Sequence, residues 1–223
     1  MSVDLRVDWC SYEAAKYAVE KWHYSRSMPG SKTLKMGVWE NGIFIGAVIF
    51  SWGANRLIGE PYGLIQGQVC ELARVALNDH ASPVSQIVTI CIKMLINQSP
   101  GVRLLVSYAD PSQAHVGSIY QAMNWIYEGV CKPIGVIALD GKLLHKKTVF
   151  SKYGTNSASK VGGRWVKTPG KYKYLYPLDR VMRKQVAPLA KPYPKRGICV
   201  QSVEGDTVGD QPTGEGSIPS DRF

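Results

Sequence analysis

Between residues 34 and 107 the chain carries two strand-like runs joined by Asn41-Gly42, a third run, a helix-spaced segment and a nearly all-apolar fourth run. Asn-Gly supplies the positive φ angles of a tight turn, so residues 34–40 and 43–51 read as a hairpin. Residues 68–77 read as the next strand. Pro83 opens a helix in which Val84, Ile87, Val88, Cys91, Met94 and Leu95 recur at helical spacing to about residue 98. Pro100-Gly101 ends it. Residues 102–107, broken only by Arg103, have the continuous apolarity of a central strand. A strand–helix–strand unit calls for a right-handed crossover and a parallel pair. The order therefore predicts an α/β fold with a mixed central sheet and flanking helices.

The remaining elements are placed around that unit. Ser11 can cap a helix over residues 12–22, with Ala14, Ala15, Ala18, Val19 and Trp22 as its apolar stripe. Residues 22–30 and 52–67 read as loops. A short helix near 113–123, a strand near 125–130 and two strands flanking Asp140-Gly141 complete the pattern. Beyond residue 150 it dissolves into Lys, Gly, Tyr and Pro, and the last 23 residues read as disordered and acidic. This suggests an α/β domain over 1–150, a basic extension over 151–200 and a tail over 201–223.

Charge sharpens that division. The net charge of +10 is not spread evenly. Residues 1–140 hold 11 basic and 11 acidic side chains, residues 141–196 hold 15 basic against Asp179 alone, and residues 197–223 hold one basic against five acidic. An uncompensated basic block is how a polyanion-binding surface is written into a sequence. Within it, cations alternate with aromatics: Lys146-Lys147, Lys152-Tyr153, Arg164-Trp165, Lys167, Lys171-Tyr172-Lys173-Tyr174. Cations offset phosphates and rings stack on exposed bases; a surface that packs its tyrosines inward is the competing account. Gly154, Gly162, Gly163 and Gly170 suggest segments able to close around DNA. No run of about 18 uncharged apolar residues is present, and the five cysteines show no CxxC pair. A soluble protein of the cytoplasm with reduced thiols is expected, and no membrane partner.

In open α/β sheets ligands lie beyond the carboxyl ends of strands. Two places qualify. The connection from Leu77 to Pro83 leads into a helix N-terminus, where free amides with the Ser82 and Ser85 hydroxyls suit a phosphate, although an ordinary capped turn has the same pattern. Tyr108-Ala109-Asp110 delivers a carboxylate that can serve as base, metal ligand or helix cap. His23-Tyr24 lies in a loop beside Ser25 and Arg26, and Tyr120 falls on the apolar side of its short helix.

His23-Tyr24-Ser25, the strand over 43–50, Glu71-Leu72-Ala73-Arg74, Ser107-Tyr108-Ala109-Asp110 and Gly117-Ser118-Ile119-Tyr120-Gln121-Ala122, with Asn124, Trp125 and Tyr127 following, occur together in this order. Over about residues 20–150 the chain resembles the Mom family, phage proteins that modify adenine in DNA to evade host restriction. The resemblance implies a GNAT acyltransferase-type fold, acetyl-CoA as donor and double-stranded DNA as partner, in the cytoplasm of the host cell. It places the donor along residues 71–86, with Arg74, Val75, Ser82 and Ser85 as contacts. The loop Asn78-Asp79-His80-Ala81-Ser82-Pro83 departs from the Gly- and Arg-rich loop usual there. The resemblance makes His23, Tyr24, Asp110 and Tyr120 the catalytic set. Its product, an N6-carbamoylmethyl (acetamido) adenine, joins nitrogen to the carbon beside the carbonyl, which plain acyl transfer cannot do. An oxidising step and iron are therefore implied, with His23 and Asp110 as ligands. Lys146, Lys147, Lys152, Arg164, Lys167, Lys171 and Lys173 are the expected DNA contacts. A non-enzymatic DNA-binding protein and an acetyltransferase acting on a protein or small amine are the alternatives. The oligomeric state is left open, a homodimer among the options.

Overall fold

A computed structural model describes residues 3–53 and 57–195. The acidic tail over 201–223 and Cys199 lie outside them. Seven strands form the main sheet in the order β1 (Leu5–Trp9), β2 (Thr33–Glu40), β3 (Ile43–Ser51), β4 (Val69–Leu77), β5 (Leu104–Ala109), β10 (Tyr172–Pro177) and β6 (Ile126–Val130). Every neighbouring pair is antiparallel except β4 and β5. The mixed sheet and its single parallel crossover are those the sequence order demands. The Asn41-Gly42 turn joins β2 to β3 with φ of 50° and 79°. Helix α2 (Val84–Gln98) is the crossover, burying Ile87, Val88, Cys91, Ile92 and Leu95 on the sheet.

The two faces are covered differently. On one, α2 and the short α3 (Ser118–Ala122) close a core that includes Phe50, Leu72, Leu105, Trp125 and Tyr174. On the other, α1 (Tyr12–Trp22) packs Ala15, Ala18 and Val19 on β3 and β4, its start capped by the Ser11 hydroxyl accepting from the Ala14 amide at 3.1 Å. Beside it α5 (Arg180–Val186) buries Met182 and Val186 on β5 and β10. Asp179 caps α5 and takes a two-pronged grip from Arg103 at 2.7 and 3.2 Å, tying the helix to the start of β5.

The basic stretch divides between two sheets. β7 (Ile134–Leu139), β8 (Lys142–Leu144) and β9 (Arg164–Thr168) form a separate small sheet in the order β8-β7-β9, backed by α4 (Lys146–Tyr153) over Ile137, Leu139 and Val149. β10 then enters the main sheet between β5 and β6, with Tyr172 opposite both Ala109 and Val130. Tyr172 and Tyr174 are buried, so these two tyrosines pack inward rather than toward a ligand. Gly170, one of the glycines expected to let segments close around DNA, is a point of close approach. A Cβ there would fall inside the Cys131 carbonyl, where the chain leaves the small sheet for β10. Gly170→Ala should therefore destabilise the protein by about 2 kcal/mol, the scale of overpacking in a tight core. Urea unfolding monitored by far-UV circular dichroism will show this as a lower midpoint at unchanged slope.

Candidate active site

β4 and β5 pair for three residues only, Val69–Glu71 against Leu104–Val106. Just beyond, the Ser107 hydroxyl donates to the Leu72 carbonyl at 2.7 Å, a side chain standing in for the next ladder bond. From Ala73 onward β4 has no strand partner on its β5 side, and the two strands part. A cavity of about 480 Å³ fills the gap. That size suits a small-molecule site. Its walls are Trp22–Tyr24 at the end of α1, Ala73–Val75 of β4, Tyr108 and Ala109 of β5, and the segment from Ala114 to Tyr120.

A register shift sets which β4 side chains face it. Ile49 pairs with Arg74 and Phe50 with Leu72, so Ala73 is an extra residue on the β4 side. Leu72 packs toward α2, while Ala76 packs toward α1. Strict alternation of facing would set those two on the same side, so the bulge reverses it. It thereby turns Arg74 to the α1 side. There the guanidinium donates to the carbonyls of Ala73 and Ser27, at 2.7 and 3.1 Å, and fixes the loop that carries His23 and Tyr24.

His23 is held by its own loop. The Ser25 amide donates to Nδ1 at 3.1 Å, and the Ser25 hydroxyl lies 2.8 Å from the same nitrogen. Burial, then the charges of Arg74, His115 and Lys171, push the imidazole down to about 4. The ring is therefore neutral at physiological pH. An amide can only donate, so Nδ1 accepts and the proton resides on Nε2. His23 offers the cavity a hydrogen-bond donor. Its ring lies 4.4 Å from that of Tyr24 at 31°, and Tyr24 meets His115 edge-on at 5.3 Å. Together with Trp22 and Tyr108 they make an aromatic wall suited to a flat heterocycle.

Tyr120 lines the cavity from α3, on the α2 side of the sheet. Its hydroxyl lies 2.7 Å from Ser107 Oγ. Ser107 commits its one proton to the Leu72 carbonyl, so Tyr120 donates to Ser107 and turns its lone pairs elsewhere. Burial pushes this phenol up to about 12.

Asp110 lies at the edge of this constellation rather than among the cavity's lining residues. Its carboxylate accepts from the Ser112 amide and hydroxyl at 3.0 and 2.6 Å, capping the turn Pro111–Gln113, and pairs with Lys171 at 3.3 Å. Burial opposes its charge, but Ser112 and Lys171 outweigh it and hold the carboxyl below its usual range. Iron does not fit His23 and Asp110 as they stand. His23 presents a protonated nitrogen, Asp110 is engaged with Ser112 and Lys171, and no group of three His, Cys, Asp or Glu side chains converges among the described residues.

The residues expected beside a donor divide. Arg74 and Val75 line the cavity, and the open β4 edge suits an extended acyl-carrier arm. Ser82 is buried away from it, and Ser85 lies in the first turn of α2. The amides of Ala81 and Ser82 are engaged by Glu40, the last residue of β2, at 3.0 and 2.7 Å. Hydrogen bonds from Ser82 and Ala81 hold the Glu40 carboxyl below the usual range, so it is charged.

The expected DNA contacts also divide. Lys171 is paired with Asp110, and Lys173 with Glu128 at 3.0 Å over the Tyr62 ring. Lys146, Lys147, Lys152, Arg164 and Lys167, all on α4 and β9, form no ion pair among the described residues. Trp165 stands between Arg164 and Lys167, its indole against Gly135 and 54% exposed.

Sequence reasoning gave no role to Glu71, Tyr108 or Ser107. All three belong to the motifs that carry the resemblance, but spacing alone does not show that Tyr108 lines the cavity or that Ser107 links Leu72 to Tyr120. Burial raises the Glu71 carboxyl, against the charges of Arg74 and Lys171.

The sequence model of the Mom protein family matches residues 4–195. The methylcarbamoylase Mom of Escherichia phage Mu is 25% identical over 212 residues, covering 87% of this chain and 85% of that protein. Among solved structures, FeeM, an N-acyl amino acid synthase from uncultured soil microbes, superposes with a TM-score of 0.47 at 12% identity, over 84% of this chain and 96% of its own. The aminoglycoside acetyltransferase AAC(6')-Ib in complex with coenzyme A and kanamycin gives 0.48 at 12% identity, over 83% and 99%.

The state of His23 can be measured directly. Its ring resonances should titrate with a midpoint of about 4 rather than 6.5 in an NMR pH series, and Arg74→Gln should move the midpoint part of the way back. Because the folded value lies below the unfolded one, the folded chain binds fewer protons between them. This group's contribution to stability therefore falls as pH drops from about 6.5 toward about 4.

Proposed function

Because the chain belongs to the Mom protein family, we propose that it is a phage DNA-modification enzyme that acts on the exocyclic amine of adenine. The observation that carries this reading is the pairing of one aromatic-walled cavity with a basic module whose cations on α4 and β9 form no ion pair among the described residues. Duplex DNA would lie along α4 and β9. The target base, swung out of the stack, would enter from the His23–Tyr24 side. Tyr24 and Tyr108 hold the ring, and the His23 Nε2–H donates to a ring nitrogen. The donor lies along the open β4 edge, and Tyr120, across the sheet, accepts from an N–H of donor or base. Arg74 keeps the wall of the site in place, and Asp110 with Lys171 fixes the turn that leads to α3.

The two-carbon unit is proposed to come from an acyl thioester of the acetyl-CoA class, which would supply an activated carbonyl when bound. The proposed product is the N6-carbamoylmethyl adenine of the family. Forming it from such a donor requires two co-reactants besides the adenine amine: a two-electron oxidant that removes two hydrogens as nitrogen joins the carbon beside the carbonyl, and an ammonia-level nitrogen that displaces the thiol to leave the amide. Its proposed role is protection of phage DNA from restriction. No step is assigned to a metal.

Nucleoside mass spectrometry of plasmid DNA from expressing cells tests the reading. A deoxyadenosine adduct of carbamoylmethyl mass should appear with the parent chain. Tyr120→Phe and His23→Phe should reduce it by about 100-fold or more, on the scale of losing a positioned polar group in a site. A plain acetyl adduct would leave the enzyme but change its product, and unmodified DNA from soluble protein would favour the binding-protein or protein-acetylating alternatives.

DNA binding separates the module from the cavity. Replacing Lys146, Lys147 and Lys152 together with Ala should lower the slope of log affinity against log salt by about 3, at roughly 0.9 per phosphate contact. Trp165→Ala should weaken binding about tenfold with the slope unchanged, as expected for loss of one stacked base.

A further inference from the structure

The connection from β4 to α2 is where an acyltransferase-type sheet would hold the diphosphate of coenzyme A, by successive backbone amides and a helix N-terminus. In this chain that apparatus is already in use. Glu40 reaches from the end of β2 and takes the Ser82 amide on one carboxylate oxygen and the Ala81 amide on the other. The next residue, Pro83, has no amide proton to give. Of the five positions 81–85, two amides are bound by an internal carboxylate and a third does not exist. Glu40 is buried and charged, and Asp79 adds a second carboxylate to the same loop. A diphosphate placed on the remaining amides of Val84 and Ser85 would sit beside like charge, with the favourable end of the helix dipole already neutralised. Glycines that allow close backbone approach to phosphate are absent from residues 78–85. The cavity itself is unaffected, since the β4 edge from Ala73 to Leu77 stays open.

We propose that Glu40 permanently replaces the donor's diphosphate at the α2 N-terminus, so that the enzyme recognises its donor by the acyl-bearing arm alone. The inference rests on the acyl-donor reading given above and goes beyond it. The donor class widens from coenzyme A thioesters to any short acyl thioester whose arm fits the β4 edge.

Isothermal titration of the full-length chain with coenzyme A, pantetheine and adenosine 3',5'-bisphosphate tests it without turnover. Coenzyme A and pantetheine should bind within about threefold of each other, and the bisphosphate should not bind. Coenzyme A binding more than about tenfold tighter than pantetheine would overturn the proposal. A second measurement uses inorganic pyrophosphate. Glu40→Ala frees two amides, so a folded variant should bind pyrophosphate at least about tenfold better than the parent. A parent that binds pyrophosphate as tightly as the variant would overturn the proposal as well. If neither coenzyme A nor pantetheine binds, both the acyl-thioester reading and this inference fail. The adduct on plasmid DNA would then still decide whether the chain modifies adenine.

Discussion

A parallel pair that ends after three residues leaves backbone groups that something else must satisfy, and the site is built from the ways this chain satisfies them. Ser107 closes the last gap with its hydroxyl and, by spending its proton there, orients Tyr120. The bulge at Ala73 turns Arg74 to the opposite face, where it holds two carbonyls and, through one of them, the loop of His23. On the far side of β5 the ladder is complete, because β10 pairs with it over all six residues. The rigid sheet thus extends up to one edge of the cavity, and the opening is confined to the other.

Charge then divides the molecule into parts with different tasks. Lys171 and Lys173 stand in the same basic stretch as Lys146 or Arg164, yet each is neutralised by a carboxylate of the main sheet region. They are structural cations. The five on α4 and β9 form no ion pair among the described residues. The Arg74 charge is used inward, where, after burial, it helps keep His23 neutral, while the Ser25 amide fixes which ring nitrogen carries the proton.

How much of this was legible follows from where the information lies. The hairpin, the crossover helix and the apolar β5 are local signals, and the structure contains them at nearly the expected bounds. β10 was not legible, because Tyr172-Lys173-Tyr174 with its cation does not look like an interior strand. Lys173 is tolerated there only because Glu128 of β6 lies across from it, 45 residues earlier in the chain. His23, Tyr24, Arg74, Val75 and Tyr120 meet at one cavity, and they were singled out by shared order with a family rather than by pattern. What order could not convey is hydrogen-bond direction. The placement of Asp110 as a turn cap, one of the alternatives its position left open, and the seating of Glu40 on the Ala81 and Ser82 amides depend on contacts across 2 and about 41 residues.

The small sheet has one more property. β6 ends at Val130 and β10 begins at Tyr172, and these two residues are paired, with the Cys131 amide bonded to the Lys171 carbonyl. The whole excursion from 131 to 171 therefore departs and returns at a single point on the sheet. A segment with coincident ends can be lengthened, exchanged or remodelled without shifting the register of any strand around the cavity. Evolution can thus rewrite the small basic sheet while leaving the cavity untouched, much as one changes the bit of a drill and keeps the motor.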